Sequence, residues 1–313
     1  MYRRKFLKNS TLLLPLFSCG NLYNSFESKL FFEIGLAQWS FNRAIKSGEM
    51  DNLDFVKVAK EKFDIKVVEY VNQFFFNKAK DKTYLKEMLK ISDDLGVKNY
   101  LIMIDDEGDL GDTNKQKRLL AIENHKKWVE AANVLGCDNI RVNAQGFGSE
   151  VEVAKSATES LSLLGQFSKP FNIDIIVENH GGYSSNAKWL VDVIKNTKQS
   201  NVGTLPDFGN FCVKSKVDQL SDWGSSSEGC EYEYDRYLGV EEMMPFARSV
   251  SAKSYEFDDD GNSIEIDYYK MLKIIKDFGY NGYISIEYEG EKYSEYEGIL
   301  LTKKLLEKAG RAV

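Results

Sequence analysis

The stretch IDIIVENHGG, residues 173–182, decides the fold. Its apolar residues predict a short strand that is buried on both faces. Three polar residues, Glu178, Asn179 and His180, follow at once, and a glycine pair then ends the extended segment. The next residues, NAKWLVDVIKNT, have the spacing of an amphipathic helix. Such a strand is typical of α/β proteins whose chemistry lies at the carboxyl ends of the strands.

Outward from this stretch, the sequence alternates eight times between a short apolar run and a helical pattern. Glycine follows three of the helices, in LGV, LGC and FGY, where a left-handed residue would end a helix. An open doubly wound sheet fits the sequence less well, because no GxGxxG motif follows the first predicted strand. We therefore predict a single-domain α/β fold, a (β/α)8 TIM barrel, over residues 31–313. The predicted strands are 32–39, 65–71, 99–105, 139–143, 173–179, 201–207, 249–257 and 282–290.

The first nineteen residues, MYRRKFLKNSTLLLPLFSC, have a basic start, a short apolar stretch and a small residue before cysteine. This pattern predicts an export signal, with a paired arginine that resembles the bacterial twin-arginine signal. LFSC resembles a lipobox, which makes Cys19 the candidate for lipidation. Residues 20–30 are predicted to be a linker. The expected location is the periplasm of a bacterium, either free or held to the membrane by an N-terminal lipid.

The composition excludes some functions. The formal net charge of the 313 residues is -7, which disfavours nucleic acid as a partner. No apolar run approaches the ~20 residues that would span a bilayer. Cys137, Cys212 and Cys230 have neither a CxxC motif nor the spacings of a disulfide scaffold, so we interpret them as packing residues. The sequence does not predict the oligomeric state.

Polar residues terminate the predicted strands, and several of them are acids. Carboxylates crowded into one barrel mouth repel one another, so they take up protons or bind a cation. We expect Glu178, Asp207 and Glu287 to bind a divalent metal, with Mn²⁺ or Mg²⁺ favoured and Co²⁺ or Zn²⁺ as alternatives. In the competing interpretation, the acids pair with Lys253 and Arg141 at the rim. The strand-end residues are Gln38, Glu69, Asp105, Asn143, Glu178, Asn179, His180, Asp207, Asn210, Lys253, Glu287 and Glu289.

The segments IIVENHGG, TLPDFGNF, SAKS and ISIEYEG, in that order, resemble the xylose isomerase-like barrel family of sugar phosphate isomerases and epimerases. In ketose epimerases of that family, a glutamate, an aspartate, a histidine and a glutamate on strands five to eight hold one divalent metal, and the two glutamates move the proton. The resemblance assigns three of these roles to Glu178, Asp207 and Glu287. The histidine is missing, since Ser251 stands in the seventh strand. His180 is a candidate to replace it or to act as a base.

We therefore expect a metal-dependent isomerase or epimerase that removes a proton next to the carbonyl of a small carbohydrate. Glu178 and Glu287 are the candidate acid and base, and Lys253 or His180 would polarise an oxygen. A lyase that eliminates from a 3-keto-glycoside and a non-catalytic carbohydrate-binding barrel remain alternatives. The related three-zinc endonucleases are excluded, because the chain has two histidines. The candidate substrate-binding residues are Glu69, Asn143, Asn210 and Trp39.

Four further expectations concern the mouth. Export and the scarcity of cations favour a neutral sugar over a sugar phosphate. The three consecutive aromatic residues 74–76 are predicted to form a wall of the mouth. His125, inside a helix, is interpreted as structural. Residues 214–234, rich in serine, glycine and acids, are predicted to form a long loop beside the mouth.

Overall fold

The computed structural model describes residues 29–216 and 229–313. The predicted signal 1–19, with Cys19, lies outside the described residues, as does most of the predicted linker. Eight parallel strands alternate with helices along the chain, as predicted. They are β1 (Glu33–Ala37), β2 (Val67–Val71), β3 (Lys98–Met103), β4 (Asn139–Val142), β5 (Asp174–Glu178), β6 (Val202–Leu205), β9 (Val250–Ser254) and β10 (Tyr283–Tyr288).

The eight strands follow the order β6-β5-β4-β3-β2-β1-β10-β9. The two outermost strands of this order meet through the parallel bridges Thr204 to Ala247 and Asp207 to Ser251. The backbone N–H of Ser251 donates to the carbonyl of Pro206 at 2.9 Å, and that of Phe208 donates back to Ser251 at 3.1 Å. These contacts close the sheet, so the fold is the TIM barrel that the sequence predicts.

The helices cover the outside of the sheet. The first residues of several helices are capped by side chains, with complete capping boxes at Ser149 and Ser294. Gly96, Gly136 and Gly279 have the positive φ angles that the LGV, LGC and FGY segments predict. The helices are α1 (Asn42–Ser47), α2 (Phe55–Phe63), α3 (Lys82–Leu95), α4 (Lys115–Leu135), α5 (Glu150–Ser168), α6 (Ala187–Thr197), α7 (Arg236–Met243), α8 (Tyr268–Asp277) and α9 (Glu295–Ala312).

Side chains that point into the barrel follow the alternation of each strand. On β9, Ser251 and Lys253 lie on the same inner face as Ser249, which directly precedes the strand, and the three mark successive levels from the floor to the mouth. Apolar residues of β2, β3, β5 and β6 fill the interior beside them. On β1, Gly35 is required by space, because a Cβ there would lie 2.3 Å from Oγ of Ser285. The polar character of the interior thus increases toward the carboxyl ends of the strands.

A two-stranded hairpin lies after β6, where the sequence predicted only a long loop. Its strands are β7 (Cys212–Ser215) and β8 (Cys230–Glu233), which pair antiparallel. Cys212 and Cys230 form a disulfide across the hairpin, so their interpretation as packing residues is wrong. Sequence spacing could not reveal this pair, because the two cysteines meet only when β7 and β8 pair in space. Cys137 is buried and free, as expected. Within the described ranges, none of the helices is long and apolar enough to cross a bilayer.

Candidate metal and substrate site

Three buried carboxylates converge at the mouth of the barrel. Glu178 ends β5, Asp207 lies two residues beyond β6, and Glu287 lies near the end of β10. One oxygen from each side chain lies within 4.8 Å of an oxygen from each of the others, and all three residues are buried. We call these three residues the triad. The sequence prediction that they meet is therefore consistent with the geometry, since separate strands of one barrel bring them to a common point.

The protein holds one oxygen of each of two triad carboxylates by hydrogen bonds and leaves the second oxygen without one. The backbone N–H groups of Gly209 and Asn210 each donate to Oδ1 of Asp207 at 2.8 Å. The side-chain amide of Asn210 donates to Oε1 of Glu178 at 3.1 Å. Oδ2 of Asp207 is buried without a hydrogen-bond partner. An oriented carboxylate with one unpartnered buried oxygen is what a metal ligand requires.

Asn179 fixes the turn that carries Asp207. Its side chain accepts from the backbone N–H of Asp207 at 2.8 Å and donates to the carbonyls of Asp207 and Asn210 at 3.1 and 2.9 Å. Ser185 also donates to the carbonyl of Asn210, at 2.8 Å. These bonds join the end of β5 to the turn after β6. The Glu-Asn pair that ends the apolar strand therefore supplies one triad acid and the support for another.

Two buried cations partly neutralise the acids. Nζ of Lys253 lies 2.9 Å from Oε1 of Glu287, 3.3 Å from Glu289 and 3.9 Å from Oδ2 of Asp207. Arg141 donates to Asp105 at 2.7 Å. Its Nε lies 2.8 Å from Oε2 of Glu178, although the N–H does not point along a hydrogen bond. Five carboxylates against two cations leave a formal surplus of three negative charges when all are ionised.

This surplus is visible in the acid pKa values. Burial raises the pKa of Asp207 to about 8, and the charges of Glu178 and Glu287 add to the rise while Lys253 opposes it. Burial also raises the pKa of Glu178 to about 7, against the opposing charge of Arg141. For Glu287, burial is outweighed by Lys253, which lowers the pKa. Buried acids that also repel one another are suited to a bound cation, which would stabilise their ionised forms.

The donor set fits a hard divalent metal. The triad offers carboxylate oxygens, which Mg²⁺ and Mn²⁺ prefer, and Oδ2 of Asp207 accepts no hydrogen bond from the described chain. Ser251, at the position of the family histidine, is buried and donates to Oε2 of Glu287 at 3.1 Å. His180 is not part of the group within ligand distance of the triad. An oxygen-only set therefore favours Mg²⁺ or Mn²⁺ over Zn²⁺.

A cavity of about 600 Å³ adjoins the triad at Glu287, whereas Glu178 and Asp207 lie behind its lining. The predicted residues Trp39, Asn143, Asn210, His180 and Lys253 line it, together with Glu287. This volume lies within the range of small-molecule sites. The cavity lining is mainly polar, as a sugar requires. Its other lining residues are Lys46, Gln73, Ile104, Asp105, Asp106, Glu107, Gly108, Asp109, His125, Arg141, Gln145 and Glu289.

His180 contributes an imidazole ring to the cavity lining, and Trp39 contributes an indole ring. Burial lowers the pKa of His180 to about 4, and Arg141 adds to the effect, so the ring is neutral at neutral pH. Its Nδ1 has no hydrogen-bond partner. Trp39 donates to Glu289 at 2.5 Å, stacks on Phe74 and has Nζ of Lys46 4.2 Å from its ring centre. His180 thus lines the cavity with a neutral ring, and its buried Nδ1 forms no hydrogen bond within the described chain.

Glu69 does not lie at the mouth, which corrects the expectation that it belongs to the substrate site. Its side chain is buried inside the barrel, outside the cavity lining, and accepts from Ser249 at 2.9 Å. Ser249 directly precedes β9, so Glu69 lies at the floor level. Glu69 is the middle residue of β2 rather than the last, and strand boundaries set from an apolar run are uncertain by this amount.

The aromatic residues 74–76 also differ from expectation, because none of them lines the cavity. Phe75 is buried and packs edge-to-face on Trp128, with ring centres 5.3 Å apart. Phe76 lies against Trp128 as well, and Phe74 supports Trp39 from behind. The residues that the sequence analysis missed are instead those of the loop after β3, whose acidic run IDDEGD was the available signal.

Comparison with known proteins supports the fold independently. The solved structures it resembles include a D-psicose 3-epimerase from Clostridium cellulolyticum H10 (TM-score 0.63, 12% identity, covering 90% of this chain and 96% of that chain). A 3-keto-D-glucoside 4-epimerase from E. coli gives a TM-score of 0.62 at 15% identity, covering 88% and 98% of the two chains. The IOLI protein with a bound zinc atom gives 0.65 at 14% identity, covering 89% and 98%.

Comparison with curated proteins finds no match. The family model described as the xylose isomerase-like TIM barrel matches residues 56–309, which is most of the chain. That span begins in α2 and ends in α9, and it contains all three triad residues. The protein therefore belongs to the xylose isomerase-like TIM barrel family.

Proposed function

We propose that this protein is a metal-dependent isomerase or epimerase that acts on a neutral sugar or keto-sugar. The observation that carries the proposal is the triad, whose three buried carboxylates lie within 4.8 Å of one another, with Glu287 also lining the polar cavity. Glu178, Asp207 and Glu287 would hold the divalent ion. When bound, the ion would act as a Lewis acid toward the substrate carbonyl and stabilise the negative charge that develops on its oxygen.

The two glutamates would move the proton. In the strand order, β5 and β10 flank the pair formed by β6 and β9, so Glu178 and Glu287 reach the triad from two sides. One carboxylate removes the proton from the carbon next to the carbonyl, and the C–H electron pair becomes the carbon–carbon double bond of an enediolate. The other glutamate returns a proton. Return to the opposite face of that carbon gives the epimer, and return to the neighbouring carbon gives the isomer.

Lys253 and His180 would assist by polarising or orienting substrate oxygens. Both line the cavity, and Nζ of Lys253 already bonds Glu287, so the ammonium fixes that carboxylate while it faces the substrate. The free Nδ1 of the neutral His180 can take a hydroxyl hydrogen bond. Asn143 and Asn210 are further polar groups at the lining.

The charges of the cavity favour a neutral substrate. Arg141 and Lys253, the two buried cations of the lining, are both engaged by carboxylates. Lys46 lies at the exposed rim, over the ring of Trp39. A phosphate group would therefore have to approach a surplus of negative charge. A neutral keto-sugar avoids this cost.

We also propose that the protein is exported, as its first nineteen residues indicate. The disulfide between Cys212 and Cys230 supports this location, since disulfides persist mainly in oxidising compartments. Cell fractionation and labelling with a radioactive fatty acid, comparing the natural chain with Cys19→Ser, would test both export and lipidation. Protein confined to the cytoplasm would contradict the proposal.

Hydrogen exchange tests the reaction. D-fructose, D-tagatose and a 3-keto-glucoside would each be incubated with the Mn²⁺-loaded protein in heavy water, and deuterium next to the carbonyl followed by NMR. We expect Mn²⁺-dependent exchange with at least one of these sugars, lost in Glu287→Gln and retained in the exposed-site control Glu61→Gln. Intact metal binding without exchange into any of them would contradict catalysis and favour the carbohydrate-binding barrel.

A further inference from the structure

The mouth cavity has a second wall, across the barrel from the triad. In the circular strand order β6-β5-β4-β3-β2-β1-β10-β9, the triad comes from β5, β10 and the turn after β6, and β3 lies opposite β9. The loop after β3 and one side chain of α4 line the cavity there. We call this surface the far wall; it consists of Ile104, Asp105, Asp106, Glu107, Gly108, Asp109 and His125.

His125 is the imidazole of the far wall, and its orientation is fixed. The residue is buried in α4 and lines the cavity. Its Nδ1 lies 2.7 Å from the carbonyl oxygen of Ala121. A carbonyl can only accept, so Nδ1 must carry the hydrogen. Burial lowers the pKa of His125, which keeps the ring neutral at neutral pH. In the neutral ring Nε2 is then an acceptor, with a lone pair and no hydrogen.

The loop around His125 is held against α4 by several contacts. Nε1 of Trp128 donates to Glu107 at 2.6 Å, and Nζ of Lys127 lies 2.6 Å from the same carboxylate. The side chain of Asn124 donates to the carbonyl of Glu107 at 3.2 Å. Gly108 has φ +93° and approaches Ala121 so closely that a Cβ would lie 3.1 Å from its methyl group. The far wall is therefore preorganised rather than an open loop.

The ring nitrogens of His125 and His180 differ in their burial and hydrogen bonding. The buried polar atoms without a partner in the described chain include Nδ1 of His180 but no atom of His125. The hydrogen bond of His125 to the protein uses Nδ1. Its other ring nitrogen, Nε2, is therefore the one that a ligand in the cavity can reach. A fixed acceptor in a cavity wall is the group that recognises a hydroxyl.

We propose that His125 is a substrate-recognition residue, whose Nε2 accepts a hydrogen bond from a sugar hydroxyl held at the far wall. This inference rests on the proposed function, because it assumes that a sugar bound at the triad reaches across the mouth. It assigns the hydroxyls remote from the reacting carbonyl to the far wall. His125 takes no part in proton transfer at carbon.

The chain contains two histidines, so selective ¹⁵N-histidine labelling gives two ring spin systems, which His180→Asn assigns. In the Mg²⁺-loaded protein we expect His125 to show a protonated Nδ1 and an unprotonated Nε2. Titration with D-fructose, D-tagatose or a 3-keto-glucoside should move Nε2 toward the hydrogen-bonded range while Nδ1 stays in place. A ring with its hydrogen on Nε2, or an Nε2 signal that none of the three sugars moves, would overturn the inference.

Kinetics supply a second readout. His125→Phe keeps a ring of similar size and removes the acceptor, and His125→Gln restores an acceptor. For a sugar that exchanges deuterium, we expect KM to rise about tenfold in His125→Phe, kcat and Mn²⁺ affinity to stay unchanged, and His125→Gln to recover part of the loss. An unchanged KM in a folded His125→Phe protein would overturn the inference and leave the proposed function intact. If the natural chain catalysed no deuterium exchange with any of the three sugars, that result would instead contradict the proposed function.

Discussion

Buried acids lie at two levels of the same barrel, the triad at the mouth and Glu69 at the floor, and their surroundings differ. The triad at the mouth has Arg141 and Lys253 beside it, and Glu287 joins it to the cavity. Glu69 lies at the floor, bonded to Ser249, and no ion pair of the described chain involves it. Burial raises the pKa of Glu69 to about 8. Burial raises the pKa of Asp207 to about 8 as well, so the two places differ in their neighbours: the triad gathers three acids and two cations around one point, and Glu69 has no cation of the described residues beside it.

The comparison teaches that burial alone does not make an acid functional. Glu69 and Glu178 are both at strand positions that point inward, and both are sealed from solvent. Only Glu178 lies within ligand distance of other acids. We therefore expect changes at the triad to affect metal binding and exchange, and changes at Glu69 to affect stability.

Glu178→Gln should have the largest effect. The neutral amide removes a metal ligand and one of the two proton carriers, so we expect deuterium exchange to fall by about 10³-fold or more. The melting temperature of the metal-free protein should hold or rise, because one of the crowded charges is gone. If exchange continued at a tenth of the natural rate, Glu178 would not be needed for the reaction, and the functional distinction between the triad and Glu69 would fail.

Lys253→Met should destabilise the metal-free protein by about 3 kcal/mol, because Glu287 and Asp207 lose their buried counter-charge. Added Mn²⁺ should restore part of this loss by supplying positive charge to the same carboxylates. Thermal unfolding with and without Mn²⁺ measures both effects. Lys273→Met, at an exposed ion pair on α8, is the matched control and should change stability little. An equally small effect at Lys253 would count against the charge balance described for the mouth.

Glu69→Gln tests the role of Glu69 through the pH dependence of stability. The folded-state pKa of Glu69, about 8, lies above the unfolded-state value, so the native state holds a proton that the unfolded chain releases. This contribution is complete below pH ~4.5 and is lost as pH rises toward about 8, by at most ~1.4 kcal/mol per pH unit. We expect Glu69→Gln to flatten that slope in denaturant titrations and to leave metal affinity unchanged. A slope equal to that of the natural chain would contradict the assignment.

The disulfide provides the smallest predicted effect. Cys212 follows Asn210 by two residues, and the side chain of Asn210 bonds Glu178. Replacing both Cys212 and Cys230 by serine should loosen this support and weaken Mn²⁺ binding severalfold, as calorimetry would show, without changing the pH slope due to Glu69. Unchanged affinity would show that the bonds from Asn179 suffice to hold the turn.

Much of this arrangement is predictable from the sequence, because one-sided helices and apolar strands permit few folds. Glu178, Asp207 and Glu287 could be predicted to meet, since each follows or ends an apolar strand and the barrel brings such ends together. The level of Glu69 could not, because an apolar run does not show where its strand ends. The pairing of Cys212 with Cys230 depends on how β7 and β8 come together, and the contact of His125 with the cavity depends on how the loop after β3 packs on α4.

Calorimetric titration of the metal-free protein with Mn²⁺ tests the central claim most directly. The triad predicts one ion bound per chain, and it predicts that the double variant Glu178→Gln with Asp207→Asn binds none at that site while Glu69→Gln binds as the natural chain does. Failure of the natural chain to bind Mn²⁺ or Mg²⁺, or full binding by the double variant, would contradict it.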